Sequence, residues 1–472
     1  MSELLPAAES EALFASLTTE TPVSVRCNPN KRTELPEDAT PVVWATEGHY
    51  LPERPQFTFD PLFHAGCYYV QEASSMFVEQ AIRQYVTEPS LALDLCAAPG
   101  GKSTLVRSLL PEGSLLIANE VMRNRSQVLA ENLVKWGNPE VIVTSNDPAD
   151  FTPLRSMFDV ILTDVPCSGE GMFRKDQVAV DEWSPENVFL CWERQRRILR
   201  DIWPCLKPGG LLIYSTCTYN REENEDNVAW IAKELGADIL PISIEDDWNI
   251  TGNLTGGDFP VYRFLPHKTV GEGLFLALLR KHGTDAESGE DFMCMESAGK
   301  NRKNKKSKGN DKSKGGANNK PIAFPKEMKD ALNLGSADYD FWVEEGTARA
   351  IRTQWHNLYD IIKARLNILH AGVVLAEQKG KDWQPHHTLA MSTLLNRDFF
   401  PQAELTYEQA IAYLRKEAVT LDSDVPRGYV LLTFQGKALG FAKNIGNRAN
   451  NLYPQEWRIR SGYLPETIKM VF

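Results

Sequence analysis

Leu91-Ala92-Leu93-Asp94-Leu95-Cys96-Ala97-Ala98-Pro99-Gly100-Gly101-Lys102-Ser103 is the stretch whose reading decides the fold. A short apolar run reads as a buried strand and enters a glycine-rich turn. An apolar segment from about Thr104 to Leu110 then suits a helix. Strand, glycine turn and helix in that order are the layout of a nucleotide-type cofactor loop. Its glycines let backbone N–H groups approach an anionic ligand at the helix N-terminus. The dinucleotide fingerprint Gly-x-Gly-x-x-Gly is absent. The phosphate loop is only half present: Gly101-Lys102-Ser103 match its end, but Cys96 stands where its first glycine belongs. A P-loop nucleotide hydrolase is therefore only the runner-up.

Working outward, the pattern repeats. Ser114-Leu115-Leu116-Ile117-Ala118-Asn119-Glu120 reads as a second strand ending on an acid, placed to accept hydrogen bonds from ribose hydroxyls. At this spacing after a glycine turn, Glu120 favours an adenosine-bearing cofactor. Val141-Ile142-Val143-Thr144 reads as a third strand leading to Asp147, and Phe158–Thr163 and Gly210–Tyr214 as a fourth and fifth. Between those two, Val188, Leu190, Arg194, Ile198 and Ile202 suit a helix over 186–206. Strands alternating with helices predict a doubly wound, mostly parallel α/β sheet.

The fourth and fifth strands run into Asp164-Val165-Pro166-Cys167-Ser168-Gly169 and Ser215-Thr216-Cys217-Thr218-Tyr219. Reacting groups of an open α/β sheet gather beyond the carboxyl ends of its strands. If these strands are neighbours, two thiols project into one crevice. A thiolate is a strong nucleophile, and a second thiol beside it suits chemistry that both forms and breaks a covalent adduct.

These residues resemble the Sun-type RNA (cytosine-5) methyltransferases. Asp94–Lys102 looks like that family's cofactor loop, Asp164-x-Pro166-Cys167-Ser168-Gly169-x-Gly171 its fourth motif, and Ser215-Thr216-Cys217-Thr218 with Glu223-Asn224-Glu225 its sixth. Pro61-Leu62-Phe63-His64-Ala65-Gly66, Gln71–Met76 and the tail Gly446–Pro454 further resemble the bacterial 16S ribosomal RNA methyltransferase F group. The resemblance implies a class I, Rossmann-like sheet of seven strands with an N-terminal extension and a C-terminal PUA-like α+β/β module. It implies S-adenosyl-L-methionine as cofactor, held by Cys96, Ala97, Ala98, Pro99, Gly100, Gly101 and Lys102, with Glu120 on the ribose, Asp147 beside the adenine, and Arg125 and Asp164 in support. It makes Cys217 the nucleophile, Cys167 the thiol that assists release, and Asp164 the contact to the cytosine edge. RNA is the implied partner, with ribosomal RNA of the small subunit the expected substrate. A tRNA (cytosine-5) methyltransferase and a non-catalytic ribosome-assembly factor are the alternatives.

Composition fits this reading. No apolar run is long enough to span a bilayer, and Met1-Ser2-Glu3 begins without a secretory signal, so a cytoplasmic protein acting as a monomer is expected. Eight cysteines without a Cys-x-x-Cys pair argue against zinc, and His386-His387 reads as an exposed loop pair, so no metal is expected. The net charge of −12 is unusual for an RNA binder, but Lys300–Lys320 alone carries a local +8. Its Lys, Asn, Gly and Ser cannot bury a core, so 283–320 is expected to be a disordered basic linker. It divides an N-terminal RNA-binding extension (1–63) and a methyltransferase domain (64–282) from a small module (321–394) and a PUA-like RNA-binding domain (395–472). The extension offers an amphipathic helix (Leu4, Ala8, Leu13, Phe14, Leu17) and a basic strand, Val23–Asn28. In the last segment, Arg448, Tyr453, Trp457, Arg458 and Arg460 interleave base-stacking and phosphate-pairing side chains.

Overall fold

The computed structural model describes residues 1–34, 36–283, 323–462 and 470–471. All but the first residue of the expected linker over 283–320 lies outside the described residues, as does Cys294.

The centre of the molecule is one nine-stranded sheet. In chain order its strands are β1 (Leu91–Asp94), β2 (Leu115–Asn119), β3 (Val141–Thr144), β4 (Phe158–Asp164), β5 (Leu206–Thr216), β6 (Ala237–Leu240), β7 (Tyr262–Phe264), β8 (Leu274–Lys281) and β9 (Ile368–Ala371). Their spatial order is β6-β8-β5-β4-β1-β2-β3-β9, with β7 also paired to β8. β1 to β5 are mutually parallel, and β6, β7, β8 and β9 join antiparallel. The parallel strands are near-continuous Leu, Ile and Val because helices cover both faces. Leu115, Ile117, Ile142, Ile161 and Leu212 are each 1 % exposed or less. The seven strands of a methyltransferase sheet are present, with two additions. β7 and β8 pair antiparallel, β6 carries only four residues, and β9 comes from far downstream.

The helix between β4 and β5 is Pro185–Ile202, started by Ser184, whose hydroxyl accepts from Asn187 N–H. Its inner face is Val188, Cys191, Gln195, Ile198 and Ile202. Leu190 and Arg194, which also suit the helix, point to solvent, because the buried stripe keeps the i, i+3, i+4 spacing set by Val188 and Cys191.

The N-terminal strands Val23–Cys27, Gly48–Leu51, Thr40–Pro41 and Tyr68–Val70 make a four-stranded sheet. The basic strand turns its charge inward. Arg26 is 1 % exposed and donates to Gln71 Oε1 (2.8 Å) and to Thr104 Oγ1 on the helix after the cofactor loop. In the first helix, Ala7–Ser16, Leu13 is buried but Phe14 is half exposed, so the apolar face is narrower than its pattern suggests.

The C-terminal segments fold back onto these parts. Tyr339–Glu344, Thr347–Arg352, Val373–Lys379 and Asp382–Pro385 form one sheet; Gln402–Glu404, Gly428–Phe434, Lys437–Asn444 and Ala449–Asn451 form another. The second sheet shares a single core with the N-terminal sheet, in which Val25, Leu62 and Tyr68 pack with Tyr413, Leu414, Val430 and Tyr453. Tyr453 is therefore a core residue and Trp457 is partly buried against the same core. They pack edge-on against His387, and Tyr453 is fully buried, while Arg448, Arg458 and Arg460 remain exposed. His386-His387 is likewise no exposed pair: His386 accepts from Thr388 N–H at the helix start, and His387 is 6 % exposed.

Gly66 lies where these layers meet. Its φ of +73° is left-handed, and a Cβ there would overlap the Lys135 carbonyl. Gly66→Ala should lower the unfolding free energy by about 2–3 kcal/mol through strain and overlap. Urea unfolding, with the midpoint shifted and the slope unchanged, is the check.

Candidate active site

The carboxyl ends of β1, β4 and β5 open into a cleft of about 360 Å³. The register of β4 against β5 sets Asp164 opposite Ser215, so the loops that follow emerge side by side. Cys167 Sγ and Cys217 Sγ lie 2.9 Å apart, and Cys217 N–H points at Cys167 Sγ (3.3 Å). The hydrogen bond with Cys217 comes first, then burial and the charges of Cys217 and Glu223, in driving the Cys167 thiol far above the ordinary cysteine range. Cys167 is the partner that keeps its proton.

Asp164 is held from two sides. Ser215 Oγ donates to Oδ1 and Lys102 Nζ to Oδ2, both at 2.8 Å. Burial opposes the Lys102 charge, but Asp164 outweighs it, helped by Cys217 and Asp94, and the ammonium titrates above an ordinary lysine. Lys102 thus ties the cofactor loop to the carboxylate expected to meet the base.

The Cys167 loop needs its glycines. Gly171 N–H donates to the Cys217 carbonyl (2.9 Å), and a Cβ on Gly171 would stand 2.8 Å from the Gly273 carbonyl. Glu223 clamps the loops together from behind. It accepts from Ser168 N–H (3.1 Å), Asn220 Nδ2 (2.7 Å) and Gln195 Nε2 (2.6 Å), and Gln195 Nε2 also reaches the Pro166 carbonyl (3.0 Å). Burial raises the Glu223 carboxyl, and these donors hold it back. Beneath Cys217, the 1 %-exposed pair Arg263–Glu225 is anchored to the loop by an Arg263 bond to the Tyr219 carbonyl (2.7 Å).

Of the expected cofactor residues, Cys96, Ala97, Ala98, Pro99, Gly101, Lys102 and Asp164 line the cleft. The Ala98 and Pro99 carbonyls accept from Arg125 and Asn132, both at 2.8 Å. Arg125 also pairs with Glu120 (3.3 Å), so both stand beside the loop rather than in the cleft wall. Asp147 is directed elsewhere: it caps the turn at Pro148–Phe151 and pairs with Arg197 at 3.3 Å. Tyr69, Gln71, Glu72 and Lys175 also line the cleft and were not assigned from sequence. Gln71 and Glu72 lie in a quoted segment, whereas Gln195 carries no local signal.

The cleft fits a cationic amino-acid group. Asp94, 1 % exposed, spends Oδ2 on Ser103 (2.6 Å) and leaves Oδ1 buried without a partner at the cleft wall. An ammonium group such as that of S-adenosylmethionine would satisfy it. Among the described residues no group of His, Cys, Asp and Glu is arranged to hold a metal ion, and no helix is long and apolar enough to cross a membrane.

A doubly wound sheet with a glycine loop at β1 and a thiol pair beyond β4 and β5 defines a methyltransferase fold. Family models match in three places: 16S rRNA methyltransferase RsmB/F over 85–280, the RsmF PUA domain over 400–459, and the N-terminal domain of 16S rRNA methyltransferase RsmF over 1–73. Ribosomal RNA small subunit methyltransferase F of Aliivibrio fischeri is 31 % identical over 90 % of this chain and 87 % of its own; that of Salmonella paratyphi A is 33 % identical over 90 % and 86 %. A methyltransferase homolog from Pyrococcus horikoshii is 27 % identical with a TM-score of 0.51, over 59 % of this chain and 92 % of that one. The chain belongs to the ribosomal RNA small subunit methyltransferase F family, and is thereby an S-adenosylmethionine-dependent RNA methyltransferase.

Burial, against the pull of Ser103, pushes the Asp94 carboxyl up to about 7 from an ordinary 3.8. The folded value lies above the unfolded one, so the stability from the protonated form is complete below about pH 4 and lost as pH rises through about 7. The unliganded protein should lose unfolding free energy between pH 4 and 7, and Asp94→Asn should flatten that decline. Urea unfolding across this range reads it out; equal slopes would remove Asp94 as the cause.

Proposed function

We propose that this enzyme methylates carbon 5 of a cytosine in 16S ribosomal RNA, in a cytoplasmic setting, through a covalent bond between Cys217 and carbon 6 of the ring. One observation carries the assignment: the two thiols are 2.9 Å apart, and the Cys217 contact, with burial, keeps Cys167 protonated. Cys217, which lines the cleft, is then assigned as the nucleophile.

Carbon 5 of cytosine is too weak a nucleophile to take a methyl group unaided. Addition of the Cys217 thiolate to carbon 6 makes carbon 5 enamine-like. Bound S-adenosylmethionine supplies the electrophilic methyl group that carbon 5 then takes up. Asp164, fixed by Lys102 and Ser215, hydrogen-bonds the base edge and supports protonation at ring nitrogen 3 as the adduct forms. Carbon 5 next loses its proton to solvent, and that electron pair restores the 5,6 double bond as the carbon–sulfur bond breaks; Cys217 leaves as the thiolate, and the Cys167 thiol assists by hydrogen-bonding to it. The loop Cys96–Lys102 with Asp94 would hold the methionine half of the cofactor. Glu120, just beyond the end of β2, would accept from the ribose hydroxyls. A target inside a helix must be flipped out to reach the cleft.

Residues 1–63 and the PUA domain are proposed to dock the RNA as one body, since they share a core. Exposed Arg448, Arg458 and Arg460 supply phosphate contacts there, so affinity falls as salt rises. A spent, non-catalytic core is disfavoured by the intact thiol pair.

The two cysteines should give opposite results. Cys217→Ala should abolish methylation and leave no covalent RNA–protein species. Cys167→Ala should still attack but release slowly, so a covalent complex accumulates on denaturing gels. If Cys217→Ala crosslinks and Cys167→Ala does not, the roles are reversed.

A further inference from the structure

The outer face of helix Pro185–Ile202 carries apolar surface that the chemistry at the cysteines does not use. Phe189 is 54 % exposed, Leu190 55 % and Trp183 38 %. Exposed aromatic groups gathered in one place mark a binding surface more often than scattered ones do. Here the rings are ordered. Phe189 stacks on Trp192 with centroids 5.3 Å apart and planes at 27°. The Arg196 guanidinium lies 4.1 Å from the Trp192 centroid and 4.8 Å from that of Trp230, and Arg200 lies 5.0 Å from Trp230. Ring and guanidinium therefore alternate along a ladder whose last member, Phe189, is open to solvent.

A groove of about 590 Å³ runs between this ladder, Trp183 and the segment Asn220–Asp226. Trp183 Nε1 donates to Glu170 Oε1 (3.0 Å), and Glu170 Oε2 accepts the N–H groups of Tyr219 (2.7 Å) and Asn220 (2.9 Å). Asn220 in turn donates to Glu223, which holds the Cys167 loop. The groove is thus bonded to the backbone that follows Cys217. The helix follows β4, so it begins on the same, carboxyl side of the sheet as the two cysteine loops.

We infer that this groove binds single-stranded RNA next to the target cytosine, with a flanking base stacked on Phe189 and the adjoining phosphates facing the arginines of the ladder. The charge supports RNA over an apolar protein segment. Among the described residues, the ladder's Arg196 and Arg200 are in no ion pair, while on the opposite wall Asp226 is neutralised by Arg221 at 2.9 Å, which leaves Glu222 as the one acid of the lining outside a pair. Every base presents a π face, so this contact tolerates sequence and serves to hold the strand once the target has left its stack. The inference rests on the proposed RNA substrate.

The test uses the full chain and three probes: a fluorescein-labelled single-stranded 12-nucleotide RNA for affinity, and protein-free 16S transcript and assembled small subunits for methylation. Phe189→Ala should raise the Kd for the labelled RNA about five- to twentyfold, in line with the loss of one stacked base. It should raise KM for the transcript by a similar factor with kcat nearly unchanged. The melting temperature and S-adenosylmethionine affinity should stay at the parent values, since the ring is half exposed and far from the cofactor loop. Phe189→Trp should restore binding. A Kd within twofold of the parent for Phe189→Ala overturns the inference. So does normal RNA binding combined with lost methylation of assembled small subunits, which would make the face a protein contact. If the parent itself transfers no methyl group to RNA, the substrate assignment fails instead, and affinity for the labelled RNA still decides the groove.

Discussion

The parallel pairing of β4 with β5 is the constraint on which the rest of the site depends. Phe158–Asp164 and Leu206–Thr216 are buried along most of their length, so a slip of register by one residue would turn every side chain of one strand into the wrong one of two packed layers. With the register fixed, Asp164 and Ser215 stand side by side and the two cysteine loops leave the sheet together. Everything beyond that point is tethering: Glu223 and Gln195 behind, Arg263 and Glu225 beneath, Gly171 letting two backbones close to contact. The thiols need no bond between them to be held. Burying Arg263 with Glu225 is costly unless both remain, so this floor resists change on either side.

Around that centre the protein spends buried polar contacts on joining its parts. Arg26 links the N-terminal sheet to the helix of the cofactor loop, with its guanidinium over Trp136. Asp60 accepts from Tyr68 and from Val471 N–H near the other end of the chain. Arg352 reaches Glu140 beside β3 at 2.6 Å. The C-terminal sheet is thereby fixed to the catalytic one, so RNA docked there as proposed would have a defined position relative to Cys217.

What could be read in advance follows the range of the forces involved. The five parallel strands were legible because burial on both faces writes itself as unbroken Leu, Ile and Val. The thiol pair was legible because each cysteine ends such a run. β6 was not, since Ala-Asp-Ile-Leu at a sheet edge has no pattern that separates it from a loop. Tyr453 and Trp457 were misread because rings among arginines look the same whether they await bases or pack on a histidine. Asp147 sits at a strand end as expected, yet a cap and Arg197 claim its carboxylate, and sequence spacing carries no information on such competition. Lys102 was visible as a loop residue; its bond to Asp164 depends on two strands meeting in space.

The ninth strand has a consequence for how the molecule is made. β3 is an edge of the methyltransferase sheet until Ile368–Ala371 pairs with it, residue 368 against Thr144. At about 5–20 residues per second, the ribosome delivers that segment roughly 10–45 s after β3. During that interval the sheet carries an unpaired apolar edge, the kind of surface that recruits strands from other chains. The catalytic sheet therefore gains its last strand only after some three-quarters of the chain has been made, and the newborn chain is the form most exposed to aggregation.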